Sequence, residues 1–314
     1  MYSVLEIIRM KKILLFIMAF TFIFIISGCG NKQETKADKI VNTKYDFMSY
    51  ASDEIKDIEQ IDLDSSLNDS CVSYKFTYMS DNNEVKAYIS IPLSCMEEEK
   101  PYKCILYNRG GNTNIGLLGD YDTANICKAT NRVVIASQYR GTDGGTGTDE
   151  FGGKDLDDII KLIDFSENNF LFVSMDDYCT VGVSRGGMMS YMASQQDKRI
   201  KKIIAISAVS DLFQTYNDRE DMQKILYNYI GGTPEDIPQE YENRSANYWA
   251  ENITVPVMII HSKNDKQVSY SQAEKLHNLF VKNGTKCSFV GRDDDIHGLS
   301  KDDAKPILEW LNDN

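Results

Sequence analysis

Residues 180–194 read TVGVSRGGMMSYMAS, and this stretch gives the clearest indication of the fold. A run of β-forming residues ends at Val183, and a stretch typical of a helix begins near Gly186. Between them, Ser184 stands in the pattern Gly-x-Ser-x-Gly that begins at Gly182. The flanking glycines permit a sharp, strained turn from which the hydroxyl of a nucleophilic serine projects. An ordinary strand-to-helix turn has the same pattern, so the function of Ser184 depends on partners elsewhere in the chain.

Short apolar runs alternate with amphipathic stretches on both sides of this segment. The predicted strands are 103–107, 132–137, 178–183, 202–207, 255–261 and 286–290, and the predicted helices are 155–168, 187–195, 272–283 and 303–311. Such alternation predicts an α/β fold with a mostly parallel central sheet and helices on both faces. The alternating segment 72–92 predicts an antiparallel N-terminal hairpin. We therefore expect one α/β domain over residues 56–314.

The N-terminus has the pattern of a bacterial lipoprotein signal peptide. Basic residues precede the apolar run 13–26, which is short for a membrane span. The sequence Ile-Ser-Gly-Cys that ends at Cys29 resembles the lipobox, in which the cysteine is lipidated and becomes the mature N-terminus. This predicts a signal peptide over 1–28, a polar tether over 29–55 and a lipid-anchored protein on the extracytoplasmic face of the membrane. An uncleaved anchor with an incidental cysteine is the alternative.

Composition and charge exclude several classes of function. The chain has 314 residues, 42% of them hydrophobic, and a formal net charge of −13. This apolar content suffices for a core, and a nucleic-acid partner is not expected because it would require clustered Lys and Arg. No spacing of Cys and His indicates a metal site, so neither a metal nor another cofactor is expected. Cys71 and Cys95 could pair across a hairpin, although buried free thiols are the favoured interpretation.

A serine hydroxyl needs a general base to become nucleophilic, and the chain contains 3 histidines. His277 falls in the predicted helix 272–283, where a half-buried helix residue is its simplest interpretation. His261 ends a predicted strand, where packing or a hydrogen bond to the following loop explains it. His297 lies in the loop after the last predicted strand, at the carboxyl edge of the sheet, from which it could reach Ser184. The sequence therefore predicts His297 as the general base.

The base in turn requires a carboxylate that fixes its tautomer and stabilises the imidazolium. Asp265 follows a predicted strand on the same edge of the sheet, and the chain order Ser184, Asp265, His297 is that of α/β-hydrolases. Asp211, which follows the preceding strand, is the alternative acid. The run 293–295 next to the histidine is interpreted as a solvated acidic turn.

Two backbone segments are predicted to stabilise a substrate oxyanion. On a turn of this kind, the N–H of Arg185 points the same way as the hydroxyl of Ser184. The second candidate is the loop 108–112, which includes Arg109 and Gly110, because glycines let the backbone approach a substrate oxygen closely. A simple glycine turn is the alternative for this loop.

Residues 211–254 interrupt the alternation of strands and helices. The segment 211–229 has a helical pattern, whereas 231–247 is rich in turn formers and charge. A cap over a site at the strand ends is one interpretation of the whole segment. A surface segment without a function is an equal alternative for 231–247.

Taken together, these motifs resemble the catalytic domain of the prolyl oligopeptidase (S9) family of serine peptidases. The motifs are YRGTDGG at 139–145, FGGKD at 151–155, GVSRGG at 182–187, IIHSKND at 259–265 and DIHG at 295–298. The resemblance runs from about residue 72 to the C-terminus. It implies an α/β-hydrolase fold, with the catalytic roles on Ser184, Asp265 and His297.

The chain departs from that family in two features. Family peptidases carry a tyrosine before the paired glycines as an oxyanion donor, where this chain has Arg109, which could donate, bind a substrate carboxylate or point away. They also usually carry a large β-propeller, for which 314 residues leave no room. We expect a surface-anchored serine hydrolase that cleaves peptide or ester bonds through an acyl-enzyme, and the family resemblance favours a peptidase. An esterase acting on small acyl esters is the main alternative, and a non-catalytic ligand-binding lipoprotein is a minor one.

Overall fold

The structure is a computed structural model, and it describes residues 46–314 apart from the side chains of Met175 and Asp176. These residues contain one central sheet. The strands in this part of the chain are β1 Ile55–Gln60, β2 Cys71–Ser80, β3 Asn83–Pro92, β4 Tyr102–Asn108, β5 Val133–Ser137, β6 Val173–Val183, β7 Ile200–Ile206, β8 Val257–Ser262 and β9 Cys287–Arg292. They form one sheet in the order β1-β2-β3-β5-β4-β6-β7-β8-β9. The pairs β1–β2, β2–β3 and β3–β5 are antiparallel, and the pairs from β5 across to β9 are parallel.

Helices connect the strands and cover both faces of the sheet. They are α1 Ser65–Asn68, α2 Leu93–Glu98, α3 Asp122–Thr130, α4 Leu156–Asn169, α5 Arg185–Gln196, α6 Leu212–Asp218, α7 Glu220–Ile230, α8 Pro238–Asn243, α9 Tyr270–Asn283 and α10 Ala304–Asp313. Helices α4, α5 and α9 pack in the core on one face, and α3 and α10 pack on the other. Successive strand residues alternate between these two cores: Cys104 and Leu106 contribute to the first and Ile105 to the second.

The predicted α/β fold is confirmed. The six predicted strands correspond to β4–β9, and the predicted N-terminal hairpin is the antiparallel pair β2–β3. The four predicted helices correspond to α4, α5, α9 and α10. Strand β1 and the helices α1, α2, α3 and α8 were not predicted.

The segment 211–229, which has a single helical pattern in the sequence, forms two helices. Helices α6 and α7 meet at Arg219, whose backbone has φ −128° and ψ 93°. This extended conformation interrupts the helix, because a helix interior requires both angles to lie in the α region. The side chain of Arg219 therefore projects from a corner between two helices.

Packing begins N-terminal to residue 56, where the sequence suggests that the domain starts. Phe47 opens a 3-10 turn at Phe47–Tyr50 and is fully buried. Its ring centroid lies 5.4 Å from that of Tyr74 and 5.0 Å from that of Phe76. A single buried aromatic residue in a polar stretch has no periodicity, so this contact was not visible in the sequence.

The predicted signal peptide, Cys29 and most of the predicted tether lie outside the described residues. Within residues 46–314, no helix combines the length and the apolar character that crossing a bilayer requires. The lipid anchor at Cys29 therefore stays a prediction.

Cys71 and Cys95 are free thiols that lie on opposite faces of the sheet. Cys71 packs beside the carbonyl of Ala124, at 3.9 Å, and the Cys95 thiol donates to the Lys100 carbonyl at 3.1 Å. The alternative of a disulfide between them does not occur in this fold, because the sheet separates the two sulfur atoms.

Candidate active site

Ser184 forms the turn between β6 and α5, at the carboxyl end of the parallel strands. Its backbone has φ 56° and ψ −119°, a conformation that costs a non-glycine residue free energy and persists only when the surroundings impose it. The Ser184 N–H donates to the carbonyl of Ile206 at 2.9 Å, and its own carbonyl accepts from Gly187 N–H at 3.0 Å. These bonds hold the strained turn, which has the form of a nucleophile elbow.

The glycines around Ser184 are required by close backbone contacts. A Cβ atom on Gly182 would lie 2.1 Å from the carbonyl oxygen of Gly186, and one on Gly186 would lie 1.9 Å from that of Asn108. A Cβ atom on Gly187 would lie 2.2 Å from the Cβ of Ala208. The close approach of α5 to the neighbouring strands thus explains the Gly-x-Ser-x-Gly motif that begins at Gly182.

His297 is hydrogen-bonded to Asp265, and both follow carboxyl ends of parallel strands. His297 Nδ1 lies 2.9 Å from Asp265 Oδ2 and 3.1 Å from Oδ1. Because an ionised carboxylate only accepts, Nδ1 carries the hydrogen, and Nε2 of the neutral imidazole is an acceptor. The Asp265 side chain is fully buried, whereas the His297 side chain is 15% exposed. The His297 ring is therefore oriented by a carboxylate that solvent does not reach.

The Asp265 carboxylate is also held by its own loop. The backbone N–H groups of Gln267 and Val268 donate to Oδ1 at 2.8 and 3.1 Å. Burial alone would raise the pKa of Asp265, but the hydrogen bonds from His297, Gln267 and Val268 lower it below its usual value. Asp265 is therefore an anion at neutral pH, as a partner for an imidazolium must be.

The other two histidines have different hydrogen-bond partners. His261 is buried on β8, and its Nε2 lies 2.9 Å from the carbonyl oxygen of Val268. Burial lowers the pKa of His261, so this imidazole is neutral at pH 7. His277 is half-buried on α9, with Nδ1 3.5 Å from Cys287 Sγ. Both lie where the sequence suggested.

The acidic alternatives have other partners. Asp211 caps α6 by accepting from Gln214 N–H at 3.1 Å, and its second oxygen accepts from Lys275 Nζ at 3.1 Å. Asp293, in the acidic turn, is 88% exposed and pairs with Lys263 Nζ at 2.7 Å. Among residues 46–314, no group of three or more His, Cys, Asp and Glu side chains could hold a metal ion.

Ser184 and His297 line one cavity of about 500 Å³. The loop that begins at Arg109 forms one wall, and the cap helices α6 and α7 form the opposite wall. Side chains from the walls are mainly apolar; they include Tyr107, Leu117, Leu118, Phe151, Val209, Met222 and Ile225. The whole of 231–247 is described, and none of it lines this cavity, whereas residues of α6 and α7 do; the cap over 211–254 stays a prediction.

The Arg185 side chain is buried beneath Ser184. Its guanidinium is 1% exposed and pairs with Asp149 at 2.6 Å and with Asp155 at 2.6 Å. It also stacks over the ring of Phe151, 4.6 Å from the centroid. Only the backbone N–H of Arg185 therefore remains as the predicted oxyanion donor.

Sequence reasoning did not identify the two carboxylates that pair with Arg185. Asp149 and Asp155 lie in an irregular segment, where the sequence has no periodicity from which burial could be predicted. The signal that could have found them is the FGGKD motif at 151–155, which ends at Asp155 and lies close to Asp149, together with the rule that a buried guanidinium requires anionic partners.

The Arg109 guanidinium is buried and is bonded to carbonyl oxygens of the protein. Nε and Nη2 donate to the carbonyl of Gln138 at 3.0 and 2.8 Å, and Nη1 donates to that of Gly110 at 3.0 Å. A Cβ atom on Gly110 would lie 3.3 Å from the Cβ of Ser184. The side chain thus holds the loop that abuts the serine, while the backbone N–H groups of Arg109 and Gly110 stay predicted oxyanion donors.

Arg109→Lys is expected to lower kcat about 10²-fold while KM changes much less. A lysine retains the charge but has no planar fork with which to bridge the Gln138 and Gly110 carbonyls, so the loop should shift relative to Ser184. Steady-state kinetics on an ester and on a peptide amide would measure the effect. An unchanged kcat would show that the loop holds its position without the guanidinium.

Comparison with known proteins identifies the family. The model of the prolyl oligopeptidase family matches residues 122–313, which is more than half of the chain. The chain belongs to the prolyl oligopeptidase family. It is 31% identical over 214 residues to the uncharacterized peptidase YtmA of Bacillus subtilis (strain 168), a match that covers 66% of this chain and 80% of YtmA. The chain is accordingly a serine-type hydrolase of a peptidase family.

Solved members of the prolyl oligopeptidase family have the same fold. An acylaminoacyl peptidase of Pyrococcus horikoshii superposes with a TM-score of 0.67 at 18% identity, covering 77% of this chain and 42% of that one. A second structure, an acylaminoacyl peptidase in complex with Z-Gly-Gly-Phe-chloromethyl ketone, has the same TM-score and identity and is covered to 41%. The chain thus spans about two-fifths of these solved peptidases, and the likeness establishes the α/β-hydrolase fold.

Proposed function

We propose that this member of the prolyl oligopeptidase family cleaves small peptides through an acyl-enzyme formed on Ser184. The observation that carries the proposal is the hydrogen bond of 2.9 Å between His297 Nδ1 and the buried Asp265, in the cavity that Ser184 also lines. A strained serine, a histidine with a free Nε2 and a buried carboxylate are the components that acyl transfer requires.

In the proposed mechanism, Ser184 Oγ attacks the substrate carbonyl while His297 Nε2 accepts the hydroxyl proton. The hydrogen on Nδ1 stays bonded to Asp265, whose negative charge stabilises the imidazolium. The proton then passes to the leaving nitrogen, the C–N bond breaks, and an ester remains on Ser184. Water, deprotonated by the same imidazole, hydrolyses this ester and returns the enzyme to its initial state.

The developing oxyanion would be stabilised by backbone donors. The N–H of Arg185 lies in the first turn of α5, where it has no intrahelical acceptor and the helix dipole favours negative charge. The N–H groups of Arg109 and Gly110, in the loop that abuts Ser184, would supply the second donor. The buried ion pairs of Arg185 and the carbonyl contacts of Arg109 keep both segments in place.

A peptide substrate is proposed because of the family and because one solved relative carries a peptide ketone. Esters remain the alternative, since the same machinery cleaves them and the cavity walls near Ser184 are mainly apolar. A panel of short-acyl nitrophenyl esters and peptide amides, tested side by side, separates the two. We expect amide cleavage that Ser184→Ala abolishes. Turnover of esters alone would favour the esterase, and binding without any turnover would favour a non-catalytic protein.

We also infer that the protein is lipid-anchored through Cys29 on the extracytoplasmic face of a bacterial membrane. The apolar run 13–26 and the Ile-Ser-Gly-Cys sequence support this, and the net charge of −13 disfavours direct contact with anionic lipid. Metabolic labelling with an alkynyl fatty acid should mark the membrane-bound protein, and Cys29→Ala should lose both the label and the membrane association. A label that persists in this variant would contradict the assignment.

A further inference from the structure

The loop 265–268, which follows β8, is held at two carbonyl oxygens by side chains from different parts of the fold. From β8, His261 Nε2 lies 2.9 Å from the Val268 carbonyl. From the junction of α6 and α7, Arg219 Nη1 donates to the Gln267 carbonyl at 2.9 Å. The cap is thus bonded directly to the loop that contains Asp265.

The bond from Arg219 acts on the peptide unit that orients the catalytic acid. The carbonyl of Gln267 and the N–H of Val268 belong to one planar peptide group. That N–H donates to Asp265 Oδ1 at 3.1 Å, and Asp265 Oδ2 lies 2.9 Å from His297 Nδ1. A continuous series of hydrogen bonds therefore runs from the cap to the proposed base, and bonds arranged in series strengthen one another.

Arg219 is part of the cap formed by α6 and α7. Its backbone lies at the corner between α6 and α7, and its Nε donates to Asp221 at 2.7 Å. The Asp221 side chain is 64% exposed, so this ion pair contributes little to stability. The Arg219 side chain, which is 24% exposed, also lines the cavity that Ser184 and His297 share. Its bond to the loop is consequently sensitive to how closely the cap approaches.

We propose that Arg219 is a positioning residue that couples the cap to the catalytic acid. With the cap docked, the guanidinium fixes the peptide between Gln267 and Val268, and thereby the orientation of Asp265 and of His297. When the cap moves away, that peptide loses its bond to the guanidinium, while His261 still holds the next carbonyl, that of Val268, and the base is oriented less firmly. The proposal rests on the triad of the proposed function.

The test compares Arg219→Gln with the wild type. We expect the second-order rate constant for labelling by a small fluorophosphonate and the kcat for a peptide to fall about tenfold, with a much smaller change in KM. A small fluorophosphonate reports on activation of the serine, because it is too short to depend on cap contacts. Arg219→Lys should restore most of the rate, since Nζ can donate to the same carbonyl. Asp221→Asn, which loosens the guanidinium without removing it, should slow labelling by a smaller factor.

Lys275→Gln is the matched control. It removes another ion pair between the cap and the body of the domain, Lys275 Nζ to Asp211 at 3.1 Å, without touching the loop 265–268. Both rates should be unchanged in this variant. The proposal is overturned if Arg219→Gln labels at the wild-type rate, or if the control slows as much. A folded wild type that is not labelled at all would instead overturn the proposed function.

Discussion

Asp265→Asn is expected to lower kcat about 10⁴-fold and to leave the fold intact. The asparagine has nearly the same size, and its carbonyl oxygen can still accept from Gln267 and Val268, which now donate at 2.8 and 3.1 Å. Its amide nitrogen then faces His297 Nδ1, and two donors cannot share a hydrogen bond. The imidazole must place its hydrogen on Nε2, where it can no longer accept the proton of Ser184.

The measurement is steady-state kcat together with thermal unfolding of the variant. Asp211→Asn is the matched control, because Asp211 was the alternative acid and has Gln214 and Lys275 as its partners. We expect wild-type kcat from this control. If Asp211→Asn lost activity and Asp265→Asn retained it, the assignment of the acid would be wrong.

Arg185→Met is expected to lower the free energy of unfolding by about 3–5 kcal/mol. The side chains of Arg185, Asp149 and Asp155 are 1%, 3% and 0% exposed, so water cannot replace the lost guanidinium. Two buried carboxylates would be left without their cation. Urea unfolding at pH 7 would measure the loss, and the triple variant that adds Asp149→Asn and Asp155→Asn should recover much of it.

This loss should depend on pH. Burial alone would raise the pKa of Asp149, but the ion pair with Arg185 lowers it below its usual value. In the wild type, Asp149 therefore contributes stability above its unfolded-state pKa, and this contribution is lost as the pH falls through the folded-state pKa. In Arg185→Met the burial effect remains without the ion pair and the pKa of Asp149 is raised, so the loss of stability should become smaller as the pH falls. A deficit of the same size at pH 7 and pH 5 would contradict this explanation.

The sequence predicted the elements whose signal is local. Periodicity identified the parallel strands and four helices, and the turn at Ser184 was visible because three glycines surround it. Strand β1 was not predicted because its residues are mostly polar, as an edge strand permits. The break between α6 and α7 at Arg219 was not predicted because it lies inside a continuous helical pattern. Both features depend on neighbours that are distant in the sequence.

The candidate site also has residues that the sequence could predict and features that it could not. Ser184, Asp265 and His297 could be proposed from their order along the chain, because each follows a recognisable strand. The direction of the Arg109 side chain could not, since its acceptor is the carbonyl of Gln138, on another loop. Backbone carbonyls are present at every residue, so a sequence gives no sign of which one a buried guanidinium will find.

Peptide mapping after reaction with a fluorophosphonate tests the central claim most directly. We expect a single phosphonyl adduct on the peptide that contains Ser184, absent from Ser184→Ala and formed much more slowly in Asp265→Asn. An adduct on a different residue, or a folded wild-type protein that forms none, would contradict it.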